Sequence, residues 1–539
     1  MWSYELIEVN ALSVQSVLIA GAWRAAKMSG TFRAENPATG EVLAEEYPVS
    51  CWEDCSDMLD AAVAAAAELR GVERSRLGAF LNRVADRIEA RSEEIVAMAH
   101  QETGLAVAPR LSKGELPRTV NQLRLAATEA SEGSWVRATI DTQAPVRSMY
   151  APIGPVCVFG PNNFPLAFNG VAGGDFAAAI AAGNPVIAKA HPSHPGTTRM
   201  LAEEVHSAAI ESGLPAATFQ LMYHLSVEDG FRLVADKRLG ATSFTGSRSA
   251  GLALKARADA AGKPIYLELS SLNPVIVLPG ALQERASEIA AELANSCLAE
   301  VGQMCTSPKL ILLVAGDSAE RFISEVEAIE GSRPTPPMLS SGVLRSLDTN
   351  VKSLVAAGCD VIAGAKVVDG PGYRYANTLL RVSGDKFLAN SAALQTEAFG
   401  TAATFVVASD IAQLLSILSS FEGNLTGCIY SSKSAVDDGV YKEVEMRLRP
   451  LVGRLLNDKV PTGVAVSSAM NHGGPYPATG HPGFTSVGIP ASLLRFAALQ
   501  CYDNVREERL PAELRDKNPN PGMWRFIDRE WTRADVGAA

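Results

Sequence analysis

Short apolar runs separated by helical stretches constrain this chain more than any other feature. Val156 to Phe159 and Pro185 to Ala188 are two such runs, and an Ala-rich helical stretch, Asp175 to Ala182, lies between them. Runs this brief, without a polar face, belong to strands covered on both sides, and a helix joining two of them makes a parallel βαβ unit. The same grammar returns at FQLMYH, GATSFTG and PIYLELS, each followed by a turn or a helical pattern. A parallel sheet layered with helices is therefore expected. A second α/β segment starts near Asn273 and carries VIVLP, LILLVAG, CDVIAGA and TFVVAS.

Around these units the pattern changes. From Asp54 to Gly104 apolar residues recur at three- and four-residue spacing, as in LGAFLNRVADRIEARSEEIVAMA, which predicts amphipathic helices. VRATIDTQAPVRSMYAPIG alternates between prolines and reads as an antiparallel pair of strands, and a late strand is expected near LRFAALQCYDN. No internal repeat of fixed period is present. From Arg506 the chain turns polar and Pro-rich, which predicts a tail draped on the surface and anchored by Trp524.

Several function classes are excluded at this stage. At 539 residues the chain exceeds the size of a single core, so two to four domains are expected. The net charge of -11, with scattered Lys and Arg, argues against a nucleic-acid partner, which would need a basic face. No run reaches the roughly 18 to 20 apolar residues of a membrane span. The segment from Val171 to Ile187 holds Asp175 and several glycines, so a packed helix followed by a buried strand is expected there. Glu5 and Glu8, without a basic leading region, do not read as a secretory leader, and a cytoplasmic location is expected. Eight dispersed cysteines fit reduced thiols, not a disulfide framework. Cys51 and Cys55 lack further zinc ligands, His191 and His194 lack a third, and no metal is expected.

Six segments then fall in an ordered series: NPATGE at 36–41, PIGPVCVFGPNNFP at 152–165, FTGSRSAG at 244–251, LELSSLNP at 267–274, GQMCTSP at 302–308 and EAFG at 397–400. In order and spacing they resemble the signature segments of the aldehyde dehydrogenase superfamily. AFNGVAGGDFAAAIAAGNPVIAKAHPSHPGT, PTGVAVSSAMNHGGPYPAT and NPNPGMWRFIDREWT carry a narrower likeness to its α-ketoglutaric semialdehyde (2,5-dioxopentanoate) dehydrogenases and their NADP-using fatty aldehyde relatives. The resemblance implies an α/β fold with a Rossmann-like cofactor domain (1–132 and 152–275), an α/β catalytic domain (276–480) and a small oligomerisation β flap (133–151 and 481–505). A C-terminal tail (506–539) follows. It also implies a homodimer or homotetramer.

By the same resemblance Cys305 is the nucleophile, whose thiolate turns the aldehyde carbon tetrahedral before hydride leaves. Asn163, beside its neighbour Asn162, and the Cys305 N–H would meet the oxyanion. Glu268, thirty-seven residues before Cys305, would be the base that hydrolyses the thioester. Ser270 and Ser271 stand where most of the superfamily has two glycines. Gly246, Ser247 and Gly251 would bring a helix N-terminus to a pyrophosphate. Lys189 and His191 would serve the adenosine end, and Glu397 with Phe399 the nicotinamide ribose and ring. Pro192 replaces the glutamate that binds a ribose 2′-hydroxyl in NAD-selective relatives, which points to NADP, with NAD as a second cofactor. The implied substrate is a small-molecule aldehyde, α-ketoglutaric semialdehyde oxidised to 2-oxoglutarate, its distal carboxylate met by Arg118 rather than Arg124. The alternatives are a surface Arg118 paired with Glu115, a broad fatty or aromatic aldehyde dehydrogenase, and a catalytically silent scaffold.

Overall fold

The computed structural model describes residues 14–537. Glu5 and Glu8, read above against a leader, lie outside the described residues. Among these residues the strands form four sheets. The first runs in the order Ile265–Glu268, Ala241–Thr245, Val156–Phe159, Val186–Lys189, Phe219–Met222, Val17–Ile19 and Ala22–Arg24. Its first five strands are parallel, as the βαβ pattern predicts, and the early hairpin closes one edge in antiparallel sense. The second places Asp360–Ala363, Thr378–Ser383, Ala402–Ala408, Leu310–Val314, Val275–Val277, Asn424–Tyr430 and Val452–Asn457 side by side. Only the half-exposed CDVIAGA strand at its edge runs antiparallel.

Burial explains these assignments. Val156–Phe159 and Asn424–Tyr430 are buried along their whole length, so both faces need helical cover. Arg74–Ala90 and Leu116–Glu132 pack against each other through apolar stripes that include Leu77, Leu81, Val84, Val120 and Leu123. The helix Gly174–Ala181 is buried on every side, as the glycine-broken apolar segment requires. Its one charge, Asp175, receives the Arg495 guanidinium at 2.6 Å and the Ser243 hydroxyl at 2.5 Å. Arg495 is itself 2% exposed and lies over Phe484 and Phe496. Removing one partner of such a pair strands the other in apolar surroundings, so Asp175→Ala is expected to cost about 3–5 kcal/mol. A urea-unfolding free energy within about 1 kcal/mol of the parent's would contradict this.

The third sheet is built from Ala497–Asp503, Val146–Pro152, Thr139–Asp141, Arg525–Ile527 and Glu530–Thr532. Its antiparallel core is the expected strand pair joined by the expected late strand. The tail does more than drape the surface, since Phe526 sits level with Thr139 and the last two strands extend this sheet. Trp524 is not the anchor. It is 40% exposed under the Arg533 guanidinium, whereas Met523 and Arg525 are buried. Arg525 holds the tail because its guanidinium donates to the carbonyls of Asp516, Ala534 and Arg515, which an indole with one N–H could not do. A small fourth sheet joins His224–Leu225, Tyr47–Ser50 and Met28–Phe32. No helix among the described residues is long and apolar enough to cross a membrane.

Candidate active site

The parallel strands of the first sheet end together. Phe159 is level with Lys189 on one side and Phe244 on the other, and Thr245 is level with Glu268. The loops that follow leave from one carboxyl edge, where α/β sheets bind ligands. The second sheet turns its opposite edge to the same gap, since Ser271, Cys305, Glu397 and Phe399 all precede its strands and line the gap. A cleft of about 970 Å³ lies between them. Asn163, Lys189, His191, Gly246, Ser247, Glu268, Cys305, Glu397 and Phe399 all line it, although they come from six separated segments.

Gly251 does not line the cleft. It lies inside the helix Arg248–Ala260, and a Cβ there would come within 2.3 Å of Leu269 Cδ2, so glycine at this position lets the helix press on the sheet. Ser247 caps that helix, accepting from the Ala250 N–H, and the helix N-terminus opens on the cleft. Lys189 is enclosed, and burial lowers its pKa to about 8. Burial and then His194 hold His191 well below the usual histidine range, and its Nδ1 accepts from the Ser193 N–H at 3.1 Å. His191 is therefore neutral at pH 7 and supplies hydrogen bonding but no charge. Burial raises the Glu397 carboxyl, opposed by Lys309, by the Ser270 hydroxyl and by the Ser271 N–H. The two serines that replace glycines thus lower the pKa of a cleft carboxylate.

Cys305 and Glu268, both on the cleft wall, meet His472. The imidazole Nε2 of His472 is 3.3 Å from Cys305 Sγ and 2.9 Å from Glu268 Oε1, and the Ser486 hydroxyl donates to Glu268 Oε2 at 2.9 Å. Glu268 and His472 are each 2% exposed. Burial alone would raise the Glu268 carboxyl, yet His472 and the donated hydrogen bonds outweigh it and keep the group ionised. Burial, and after it the charge of Glu268, push the Cys305 thiol well above its ordinary value, so the resting group is SH. Segment 478–480 lies along the Ile265–Glu268 strand through Leu269 N–H to Ala478 O and Gly480 N–H to Leu267 O. His472 is fixed over Glu268 by its own N–H to Thr485 Oγ1 and by Ser486 N–H to its carbonyl. Nothing in the sequence around NHGG marks this histidine as part of the site.

The turn carrying Cys305 is held by residues that spacing also left unmarked. Glu300, Val301 and Gly302 adopt positive φ in succession, at 51°, 60° and 63°, so the chain enters the turn left-handed. A Cβ on Gly302 would meet the Gly400 carbonyl oxygen at 2.1 Å. The buried Lys309 ammonium joins the same two backbones, donating to Gly302 O at 2.8 Å and to Gly400 O. Asn273, itself at φ 48°, donates to Cys305 O and Ser307 O, both at 2.9 Å. Asn163 Nδ2 donates to Gln303 O at 2.8 Å, and Arg110 donates to Asn163 O at 3.0 Å.

Arg118 lies behind this turn and not on the cleft wall. Its Nε donates to Gln122 Oε1 and its Nη1 to Val464 O, while Nη2 is buried without a partner. The guanidinium lies over Phe168 and Phe164, part of an apolar chamber with Met304, Val464, Val466, Met470 and Val487. The surface pairing with Glu115 does not occur. Glu115 bonds Arg110 at 2.5 Å and accepts from the Leu166 and Ala167 N–H groups, because its carboxylate is needed at that bend. Arg124 points outward to Asp86 and Glu89.

Comparison with known proteins places this geometry. The aldehyde dehydrogenase family model matches residues 23–446. Alpha-ketoglutaric semialdehyde dehydrogenase 2 of Azospirillum brasilense is 37% identical over 518 residues, covering 93% of this chain and 97% of its own. Alpha-ketoglutaric semialdehyde dehydrogenase of Acinetobacter baylyi is 36% identical over 454 residues, covering 82% and 84%. Among solved structures, an aldehyde dehydrogenase of Pseudomonas syringae in complex with NAD+ and octanal aligns with a TM-score of 0.79 at 20% identity, covering 92% of this chain and 98% of its own. The family match runs from the hairpin of the first sheet into the helix Asp438–Leu448, across both walls of the cleft. This chain belongs to the aldehyde dehydrogenase family.

Proposed function

We propose that the protein oxidises α-ketoglutaric semialdehyde to 2-oxoglutarate through a thioester on Cys305. The observation that carries this reading is the meeting of Cys305 Sγ, His472 Nε2 and Glu268 Oε1 at 3.3 and 2.9 Å, with Cys305 and Glu268 on the wall of one cleft. A resting thiol beside an ionised carboxylate and an imidazole can lose its proton as it attacks, so the sulfur–carbon bond forms without a free thiolate standing in apolar surroundings. The oxyanion would take hydrogen bonds from Asn163 Nδ2, whose second N–H is not used by Gln303, and from the Cys305 N–H. NAD(P)+, when bound, accepts the hydride, and Lys189, Glu397 and the helix capped by Ser247 are the residues that would hold it. Glu268 then removes a proton from water, and the thioester carbon passes to the acid as sulfur leaves.

Arg118 supports a substrate with a distal carboxylate, since its buried Nη2 lacks an acceptor and its chamber begins at Met304, beside Cys305. The apolar walls of that chamber favour a second reading, a fatty or aromatic aldehyde. The two α-ketoglutaric semialdehyde dehydrogenases at 36% and 37% identity favour the first. The test compares kcat/KM for α-ketoglutaric semialdehyde and an uncharged aldehyde of equal length, in wild type and Arg118→Met. Loss of roughly 10²-fold or more, confined to the charged substrate, is expected. Equal wild-type rates on both would favour the fatty aldehyde.

For the cofactor we propose NADP over NAD. Pro192 offers no acceptor for a 2′-hydroxyl, and Lys189 offers a cation to a 2′-phosphate. Lys189 is charged below about pH 8 and neutral above it, so the preference for NADP should be strongest at low pH and shrink as pH rises through 8. Steady-state KM for both cofactors between pH 6.5 and 9.5, read at roughly half-unit steps, checks this. A flat ratio would remove Lys189 from the role, and Pro192→Glu should move preference toward NAD. The exposed edge strand Ala497–Asp503, which presents Leu499, is our proposed pairing surface for a second copy.

A further inference from the structure

We infer that Cys305, His472 and Glu268 form a binding site for a zinc ion that reversibly silences the enzyme. The inference goes beyond the dehydrogenase reading and does not depend on the substrate. The three side chains present one thiol sulfur, one imidazole nitrogen and one carboxylate oxygen, all within 4.8 Å of one another. Sulfur, imidazole and carboxylate together are the donor set that selects zinc over magnesium or calcium, which need oxygen ligands. Bonds of about 2.3 Å to sulfur and 2.0–2.1 Å to nitrogen and oxygen put tetrahedral neighbours about 3.3 to 3.6 Å apart. The distances of 3.3 Å from sulfur to nitrogen and 2.9 Å from nitrogen to oxygen lie within about half an ångström of that.

The surroundings fit an ion as well as the distances do. Glu268 is steadied by the Ser486 hydroxyl, and His472 is steadied through its backbone, so two of the three donors are already fixed at the cost of folding. Cys305 faces the cleft, which leaves the fourth position open to water, to substrate or to a chelator. On binding, the sulfur–proton bond breaks, the proton goes to solvent and a sulfur–zinc bond forms, with no change of oxidation state. The sulfur lone pair needed for attack is then engaged, and the carboxylate needed for hydrolysis is engaged with it. Lys189 and Glu397 are not among the three donors. Sequence spacing could not suggest the site, because its donors are 37 and 167 residues apart along the chain.

The test uses the full-length reduced enzyme and zinc buffered by a competing chelator. Wild type is expected to bind one zinc per chain with simultaneous loss of turnover, to regain activity on adding EDTA, and to keep its affinity for NADP. Cys305→Ser should lose the ion, and His472→Asn should bind it ten-fold or more weakly. Cobalt in place of zinc should give a thiolate charge-transfer band in wild type that Cys305→Ser lacks. As a measurement that needs no variant, zinc should protect Cys305 from iodoacetamide, read on the Cys305 peptide by mass spectrometry. Unchanged zinc affinity in both variants, or alkylation of Cys305 at the same rate with and without zinc, would overturn the site. An active dehydrogenase indifferent to zinc refutes this inference alone, whereas a zinc-binding protein without dehydrogenase turnover refutes the functional reading.

Discussion

Cys305→Ala is expected to abolish turnover while leaving cofactor affinity almost unchanged. Among the described residues the thiol is the only sulfur on the cleft wall: Cys297, Cys359 and Cys428 are buried in the second sheet's layers, and Cys55 and Cys157 in the first. Without the sulfur no tetrahedral adduct forms, and hydride cannot leave an sp² aldehyde carbon. The loss should reach roughly ten-thousand-fold or more in kcat. Binding should survive because the residues proposed to hold the dinucleotide, Lys189 and the helix capped by Ser247, are other residues of the cleft wall. Titration of NADP against intrinsic fluorescence, beside a turnover assay, separates the two effects. Residual turnover of more than a few per cent would show that the nucleophile lies elsewhere.

Glu268→Gln is expected to divide the reaction in time. The amide keeps the shape of the carboxylate and can still accept from Ser486, but it cannot take a proton from water, so the thioester should persist. NADPH should appear in a rapid burst approaching one equivalent per active chain, followed by steady turnover lowered about 10²- to 10⁴-fold. His472 gives a reason for the burst to survive, since an imidazole 3.3 Å from sulfur can receive the thiol proton without Glu268. The wild-type profile has a sign that can be worked out. Glu268 has a depressed pKa, so its base form is present at neutral pH and is lost only as pH falls through that lowered value. Deacylation should therefore stay level down to mildly acidic pH and then decline. Quenched-flow measurement of the burst and the following rate tests both statements, and full steady-state activity in the variant would remove Glu268 from the role.

What the sequence could reveal about this site follows physical lines. Residues at the carboxyl ends of buried strands were legible, because a short apolar run announces the strand and the next residue leaves its end. Lys189, Gly246 and Glu268 stand at such ends, and the resemblance supplied their roles. Cys305 and Glu397 were legible only through the resemblance, since nothing local marks them. His472 and Ser486 escaped notice because they act across 204 and 218 residues, from a segment with neither helical nor strand periodicity. Lys309 and Asn273 escaped because their partners are main-chain carbonyls, which carry no side-chain signature. Gly251 was read as bringing a helix N-terminus to a pyrophosphate, and it lies inside that helix, packed against Leu269. Trp524 misled for a related reason: an aromatic residue in a polar stretch suggests an anchor, but the strand Arg525–Ile527 places Arg525 inward and leaves the indole outside.

The reach of those contacts has a consequence for the chain as it is made. Synthesis delivers Cys305 long before His472 and Ser486, so a nascent chain carries its reactive thiol through more than a hundred and fifty further residues without the groups that arm it. Over that interval the left-handed turn and Lys309 can already form, because their partners, Gly302 and Gly400, emerge first. The scaffold of the thiol is thus early and its chemistry late, which spares an unfinished polypeptide from reacting with the aldehydes around it. A ribosome-bound chain arrested after about residue 450 should accordingly hold Cys305 no more reactive toward a mild alkylating agent than an ordinary buried thiol.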